Sequence, residues 1–194
     1  SHVAENSYLE NDHFGRTSVR LNLDYNPISI LKLGANFSFS HIDHRPTPGG
    51  WDGGYGRAIS TALPYFPVYN EDGSYYIFNQ STNPVTEVYE KRRRVFTDRT
   101  MASIYADLQI IKDLSLRVEG NIDYRDNESN YLRTESLSTQ PNSNVTNRYE
   151  MNWNAKALLN YNLSIGDDHR FHFMVGTEAL KSTRVSNYTN VVFS

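Results

Sequence analysis

The sequence predicts an all-β fold of long antiparallel hairpins, of the kind that crosses a membrane as part of a β-barrel. Apolar and polar residues alternate over several stretches, which is the period of a β-strand. Short polar turns join these stretches in pairs, as in β-hairpins. Each stretch shows about ten alternating residues, which suits a tilted strand crossing a bilayer core of roughly 30 Å. Strands of globular proteins average about half that length.

The clearest hairpin lies near residues 97–126, with a two-residue break at Lys112-Asp113. A membrane barrel is apolar towards lipid and polar towards its lumen. We therefore expect Arg117, Glu119 and Asp123 to face the lumen, together with Asn152, Asn154 and Lys156 of a later strand. The opposite, lipid-facing side of this hairpin is predicted to carry Ala102, Ile104, Ala106, Leu108, Ile110, Leu114, Leu116, Val118, Gly120, Ile122 and Tyr124.

A second hairpin of the same design is predicted near residues 17–42. Its turn is expected at residues 26–29, because Asn26 tolerates tight turns and Pro27 presets φ. Residues 1–16 are polar without sustained periodicity, so we expect them to be loop with at most a short strand end.

The third hairpin is predicted near residues 147–180, with its turn at 166–169. In its first strand, residues 149–163, Leu158 is the one apolar residue on the otherwise polar face. Residues 1–194 are therefore expected to form a partial β-barrel domain that contributes about six strands to a larger barrel.

Two long stretches, residues 43–96 and 127–146, break the alternation and are predicted to be loops. Short turns that alternate with long loops are typical of outer-membrane barrels, whose periplasmic turns are short and whose extracellular loops are long. The chain contains 14 Tyr, 9 Phe and 2 Trp, enough to supply both interfacial aromatic girdles. Girdle positions are predicted for Tyr25, Phe37, Phe39, Tyr124, Tyr149, Trp153, Tyr161, Phe171 and Phe173.

Composition excludes several other classes of protein. No apolar run approaches the ~20 residues of a membrane-spanning helix. A formal net charge of −3 is too mild to indicate a nucleic-acid partner. The chain has no cysteine, which rules out disulfides and thiolate metal sites.

No arrangement of residues indicates catalysis, a metal or a cofactor, so we do not expect an enzyme. His41, Asp43 and His44 imitate a metal site by spacing only, and residues 70–74 lack the alternating ligands of a calcium loop. The basic run at residues 91–94 is predicted to be a solvated loop segment, with contact to outer-leaflet lipid phosphates as a lesser alternative.

The residues with the best claim to a ligand are aromatic side chains of the long loop. Flat rings with polar rims suit sugars or peptides, whose apolar faces they cover. The alternative, which we favour for most of them, is that they pack the loop on itself or against a partner. These residues are Trp51, Tyr55, Tyr65, Phe66, Tyr69, Tyr75 and Tyr76, and two or three of them are expected to touch a ligand or a partner protein.

The chain resembles SusC/RagA-type TonB-dependent transporters from about residue 16 to residue 178. Each matching segment is weak alone, but the ordered set is moderately specific. The segments are TSVRLNLDYNPISILKLGANFSFS, ALPYFPVYNEDGSYY, ASIYADLQIIKDLSLRVEGNIDY and WNAKALLNYNLSIGDDHRFHFMVGTE.

This resemblance implies a barrel of the large, plugged class, to which the chain would contribute a middle segment. It implies an outer-membrane location, contact with outer-membrane lipid, and import of glycans or peptides. It also implies two partners for the full-length protein, a SusD-like surface lipoprotein and TonB.

A second reading of the pattern is a soluble β-sandwich or a lipocalin-like ligand-binding module. Lipocalins point apolar side chains inward and close at eight strands. If the barrel reading holds, an isolated segment would expose two sheet edges and one apolar face, and we expect it to self-associate.

Overall fold

The computed structural model describes residues 1–47, 55–76, 83–134, 141–166 and 168–193. Seven strands form one antiparallel sheet in sequence order, which confirms the all-β hairpin architecture. Two short helices, α1 (Tyr55–Thr61) and α2 (Pro84–Tyr89), lie between the third and fourth strands. The strands are β1 (His2–Asn6), β2 (His13–Ile28), β3 (Leu31–Arg45), β4 (Lys91–Ile111), β5 (Leu114–Arg133), β6 (Asn142–Ile165) and β7 (His169–Val192).

The strands are longer than the apolar pattern indicates. Strands β4 and β5 have 21 and 20 residues, and β6 and β7 have 24 each. This is about twice what a bilayer core requires. Most of the additional length lies at the end away from the short turns, so residues 127–133 and 142–146, predicted to be loop, are strand. Polar residues occupy both faces there, which removes the alternation but leaves the backbone ladder intact.

The N-terminal segment is also strand rather than loop. Strand β1 pairs antiparallel with β2, from His2 opposite Thr17 to Asn6 opposite His13. All five β1 residues are exposed, so no apolar face marks the strand in the sequence. The sheet therefore has seven strands where the pattern predicted about six.

The first hairpin turns later than predicted. Asn26 and Pro27 lie inside β2, and the chain reverses at Ser29-Ile30. The register shifts between Tyr25 and Ile28, which accommodates the proline because it has no backbone N–H to donate. The prediction of a turn at 26–29 was wrong by a few residues. Asparagine and proline, which favour turns, here lie at an irregularity within the strand.

The second turn lies at Lys112-Asp113, where the pattern placed it. The side-chain amide of Gln109 donates to the carbonyls of Ile111, Lys112 and Leu114 at 2.7, 3.2 and 3.3 Å, which fixes the end of the hairpin. The third turn lies between β6 and β7, where Gly166 has a φ of 64°.

The register gives the sheet one apolar and one polar face, as predicted. Leu108, Leu116, Leu159 and Val175 form one continuous row across β4–β7, because each is the direct partner of the next. We call the face that carries this row the outer face, and we call the opposite face the inner face. The upper end of the sheet is the end away from the three short turns.

The outer face is not covered by any part of the described chain. Ile104 is 66% exposed, Val118 46% and Val175 71%. The residues classed as buried outside the strands are Ala58, Asn83, Thr86 and Glu87, all in or beside the helices. The sheet therefore has no hydrophobic core of its own within the described residues.

Close cross-strand packing explains Leu158, the one apolar residue on the inner face of β6. Leu158 lies opposite Gly176, and a Cβ at that glycine would lie 2.5 Å from Leu158 Cδ2. Tyr105 covers Gly34 in the same way, with 2.2 Å to the tyrosine Cε1. Both large side chains fill the space that a glycine leaves in the sheet.

No helix in the described ranges is both long and apolar enough to pass through a membrane.

Candidate functional site

The segment between β3 and β4 is organised around Asn83. Its side-chain oxygen accepts from the backbone N–H of Val85 at 3.0 Å, which caps α2, and Pro84 occupies a first-turn position where its missing N–H costs nothing. Its side-chain nitrogen donates to the carbonyls of Val68 and Tyr76 at 2.8 and 3.3 Å. Asn83 is 8% exposed, so this one buried amide joins α2 to residues 68–76.

A buried ion pair fixes α2 to the sheet. Glu87 is fully buried, and Lys91 at the start of β4 donates to its two oxygens at 2.5 and 2.7 Å. Lys91 lies on the inner face, since it shares the parity of Arg99 and Met101. The helix therefore sits over the inner side of the upper end.

Most described loop aromatics pack on one another. The Phe66 ring lies 4.6 Å from that of Tyr65 and 5.3 Å from that of Tyr76, and the Tyr69 and Tyr75 rings are also 5.3 Å apart. Tyr65 is nevertheless 73% exposed.

Of the other candidates, Tyr55 begins α1 and Trp51 lies outside the described residues. A role for any of the six in ligand binding stays a prediction. Tyr75 also donates a hydrogen bond of 3.3 Å to Glu90. Burial raises the pKa of Tyr75, and the carboxylate of Glu90 raises it further.

The turn between these tyrosines is held by a carboxylate. Asp72 accepts from the backbone N–H and the hydroxyl of Ser74 at 2.9 and 2.6 Å, and these bonds lower the pKa of the Asp72 carboxyl. Gly73 has a φ of 81°, which suits the reversal. The carboxylate of Asp72 is thus used inside the turn.

The connection between β1 and β2 contacts α2. Tyr89 donates a hydrogen bond to Glu10, and Asn11 donates to the carbonyl of Val88 at 3.4 Å. A cavity of about 730 Å³ lies between this connection, α2 and the upper ends of β4 and β5. We call it the mouth cavity, and Arg93 and Tyr131 are among its lining residues.

The lower inner face carries a network of paired charges. Arg117 contacts Asp107 at 3.1 Å and Glu119 at 3.4 Å, and Lys156 contacts Glu119 at 3.1 Å. The Arg117 guanidinium also lies 4.5 Å from the centre of the Tyr105 ring. Each cation in this network has a carboxylate partner.

Amides extend the network sideways. Asn121 donates to Glu119 at 3.0 Å and to Asn154 at 2.7 Å, and Asn154 donates to Glu178 at 3.1 Å. The chain of contacts crosses from β5 to β7. Tyr105 donates to Asp24, which extends the same kind of contact from β4 to β2.

The residues that imitate a metal site do not come together. His41 contacts Asp98 at 2.6 Å and Asp43 contacts Arg94 at 2.7 Å, both on the outer face. His44 lies on the inner face, where its ring is 5.6 Å from that of Phe14. Strand alternation separates neighbours that look adjacent in sequence.

The basic run at residues 91–94 is the beginning of β4, not a loop. Alternation divides it between the faces, with Lys91 and Arg93 inside and Arg92 and Arg94 outside. Arg94 also lies 4.4 Å from the centre of the Phe96 ring. The run was misassigned because four consecutive charges conceal any period of two.

The inner face carries a depression at mid-height. It has a volume of about 630 Å³, and the polar residues Arg20, Asn36, Asp123 and Asn152 line it together with apolar residues such as Met101 and Leu180. The sequence placed Asp123 and Asn152 on this face but gave no sign that Arg20 would join them across the sheet. The long-range pairing of the strands supplies that information.

Known proteins share this architecture. No family model matches the chain. A TonB-dependent receptor of Formosa agariphila is 28% identical over 175 residues, which cover 84% of this chain and 17% of that protein. The RagAB peptide importer superposes in its 'open-open' state with a TM-score of 0.77 at 18% identity, covering 93% of this chain and 21% of that one. Its 'closed-closed' state gives 0.75 at 17% identity, covering 93% and 22%.

The chain is similar in sequence to a segment of a TonB-dependent receptor and shares its fold with a segment of the RagAB importer. It spans about a fifth of the length of the proteins it matches, from 17% to 22%. An open sheet of seven strands is what such a segment of a large barrel should show.

Proposed function

We propose that this chain forms part of the wall and the extracellular loops of an outer-membrane transporter that imports glycans or peptides in a TonB-dependent manner. The observation that carries the proposal is the uncovered apolar face of the sheet. Val19, Ile104, Val118 and Val175 are all exposed on it. Soluble monomers rarely expose contiguous apolar patches of more than a few hundred Å². Lipid in contact with this face would remove the free-energy cost of exposing its apolar side chains to water.

The polarity of the two faces supports a barrel over the soluble alternative. In a lipocalin-like module the apolar side chains would point inward and the sheet would close. Here the charged network of Arg117 and Glu119 lies on the inner face, opposite the apolar face that carries Leu116 and Val118. The described strands form one open sheet whose edges are β1 and β7, with no second sheet facing them.

The proposed orientation follows from the lengths of the connections. The three short turns would lie at the periplasmic side, and the segment with α1 and α2 would lie outside the cell. The upper parts of β4–β7 would then project beyond the bilayer.

The proposed partners belong to the full-length protein. A SusD-like surface lipoprotein would meet the extracellular end, where Tyr65 and Tyr69 are exposed. TonB would act from the periplasmic side on a part of the transporter outside this chain. The role of this segment is therefore wall and mouth rather than energy coupling.

Uptake by cells that carry the full-length gene tests the proposal. Labelled oligopeptides and oligosaccharides are supplied to cells with and without the gene, each in the presence and absence of TonB. We expect uptake of one of the two classes to need both the gene and TonB. Uptake of neither class, or uptake that is unchanged without TonB, would contradict the proposed function.

A further inference from the structure

The upper part of the inner face is rich in arginines that lack carboxylate partners. Arg99 is the paired member of the group, with a bidentate contact to Asp123 at 2.9 and 2.7 Å. Within the described residues the others make no ion pair. We call this group the upper inner wall, and it consists of Arg16, Arg20, Arg93, Arg99, Arg125 and Arg148.

The strand register brings several of these residues side by side. Arg99 and Arg125 are direct partners across β4 and β5. Arg148 is the partner of Asn127, one row higher on the same face. Like charges placed directly opposite each other destabilise a sheet. Asp123 is bonded to Arg99 and also interacts electrostatically with Arg125, which offsets part of this repulsion, and a bound anion would offset more of it.

Nearby carboxylates neutralise these arginines only in part. Glu150 is the direct partner of Arg125, but its side chain contacts Arg184 at 2.7 Å. Asp123 is held by Arg99, and Glu87 is held by Lys91. The neighbouring acidic residues of the same strand segments lie on the outer face by alternation, and these are Asp43, Asp98, Asp126 and Glu128.

Most cations of the lower inner face are paired. Lys32, Arg117 and Lys156 each have a carboxylate within 4 Å, and Arg170 near the third turn is the exception among the described residues. Paired and unpaired cations thus mostly occupy different ends of the same face, a distribution that the composition of the chain does not explain. The unpaired cations are concentrated at the end where a solute from outside would first meet the wall.

The mouth cavity supplies a second observation at the same end. Arg93 lines it, as do Glu10, which accepts a hydrogen bond from Tyr89, and Asp12, which accepts one from the backbone N–H of Thr47. Its volume of about 730 Å³ is within the usual size of small-molecule sites. An anion entering there would pass from Arg93 to the remaining arginines of the upper inner wall.

We propose that the upper inner wall binds solutes that carry several carboxylate or sulfate groups, so that the transporter prefers acidic oligomers to neutral ones. Guanidinium groups present paired N–H donors that match the oxygens of such groups. An excess of positive charge on this wall also raises the local concentration of anions. This inference rests on the proposed function and specifies the charge of its substrate.

Binding to the purified full-length transporter in detergent tests the inference. One pair of labelled probes is a six-residue glutamate peptide and its glutamine counterpart. The other pair is a six-sugar galacturonate oligomer and its neutral methyl ester. We expect the acidic member of one pair to bind about tenfold more tightly than the neutral member, since each exposed ion pair is worth roughly a two- to fivefold change in affinity. The pair that shows the preference identifies the source of the acidic groups.

A triple variant then locates the preference. Arg20→Gln, Arg125→Gln and Arg148→Gln together should abolish it and leave the affinity for the neutral probe unchanged. Arg170→Gln is the matched control, because Arg170 is an inner-face arginine near the third turn. A preference that survives the triple variant, or is lost in the control, would overturn the inference.

Equal binding of acidic and neutral probes, or binding of none of them, would also overturn it. An acidic segment of the same transporter would then be the better occupant of the wall. TonB-dependent uptake without a charge preference would defeat this inference alone. Loss of that uptake with the charge preference intact would defeat the proposed function alone.

Discussion

At the scale of single residues, the sheet depends on glycines that lie beneath large side chains. Gly34 is buried under the ring of Tyr105, whose hydroxyl then reaches Asp24 on β2. A side chain at position 34 would move that ring and break the contact. Gly120 is different, because a Cβ there would meet Ile104 Cγ1 at an ordinary 3.8 Å.

Gly34→Ala is therefore expected to destabilise the full-length transporter, and Gly120→Ala is not. The new methyl would lie 2.2 Å from Tyr105 Cε1, so the ring would move aside and lose its hydrogen bond to Asp24, at a cost of about 1 kcal/mol. Gly120→Ala should be neutral or stabilise by up to ~1 kcal/mol, because alanine loses less backbone entropy. Thermal unfolding of both variants in detergent measures the difference. Equal stability of the two variants would contradict the packing of Tyr105 on Gly34.

A second residue-scale prediction concerns Asn83. Asn83→Ala removes the cap of α2 and both bonds to residues 68–76. Losing a cap costs about 1 kcal/mol, and the buried carbonyls left without partners add to it.

Hydrogen exchange measures the effect of this change. We expect backbone amides of α2 to exchange at least ~10-fold faster in Asn83→Ala. Asn70→Ala is the control, since Asn70 bonds only within its own turn, to Ser74 and Tyr75. Faster exchange of α2 in the control, or unchanged exchange in Asn83→Ala, would show that Asn83 does not hold the helix.

At the scale of elements, the two faces of β5 should respond differently to charge. Val118 lies near the middle of the apolar stretch of β5 and is 46% exposed on the outer face. Val118→Arg is expected to cost ~2–4 kcal/mol, the value for arginine at the bilayer midplane. Leu116→Arg should cost less because it lies nearer the turn, and Ser115→Arg on the inner face should cost least. Unfolding of the refolded transporter in lipid vesicles ranks the three. A cost for Ser115→Arg as large as that for Val118→Arg would contradict a lipid-facing outer side.

The sequence was sufficient for the part of the strands with one apolar and one polar face, and insufficient beyond it. Alternation predicted the faces of β4 and β5 because apolar and polar residues alternate there. Above the apolar stretch polar residues occupy both faces, so the upper parts of the strands and all of β1 left no pattern. The helix α2 did leave a signal, since Asn83-Pro84 is a good helix start, but it was not recognised.

The charge asymmetry of the inner face could not be predicted from the sequence either. Alternation shows that Arg125 and Arg148 face inward, but not that Glu150 pairs with Arg184 instead of Arg125. Which cation takes which carboxylate depends on pairing between strands that are far apart in sequence. The candidate site was therefore predicted as a set of loop aromatics, and the arginine wall was missed.

At the scale of the whole molecule, the sheet formed by the described residues has an uncovered apolar face and two edge strands, each unpaired on one side. Strands β1 and β7 are the edges of the sheet. Exposed edges present unpaired N–H and C=O groups to any other strand. In a closed barrel the neighbouring strands and the lipid would satisfy both requirements. An isolated segment of 194 residues has neither.

We therefore expect the isolated chain to self-associate in buffer without detergent. Two copies that stack their outer faces would place the sheets about 10 Å apart, close enough for Leu116, Leu159 and Phe173 of each copy to interdigitate. The charged inner faces would then lie outside, in contact with water. Detergent above its micelle concentration should cover the outer face and dissociate the stacked copies, although edge pairing could persist.

Sedimentation velocity with and without detergent measures the association. Val118→Glu is the test variant, because it places a charge in the middle of the stacked interface. Ser115→Glu is its control, because it places a charge on the inner face, which stays in contact with water. The first should weaken association by stacking, and the second should not. A monodisperse monomer in plain buffer would contradict the prediction, since Ile104 and Val175 would then have to be covered by the chain itself.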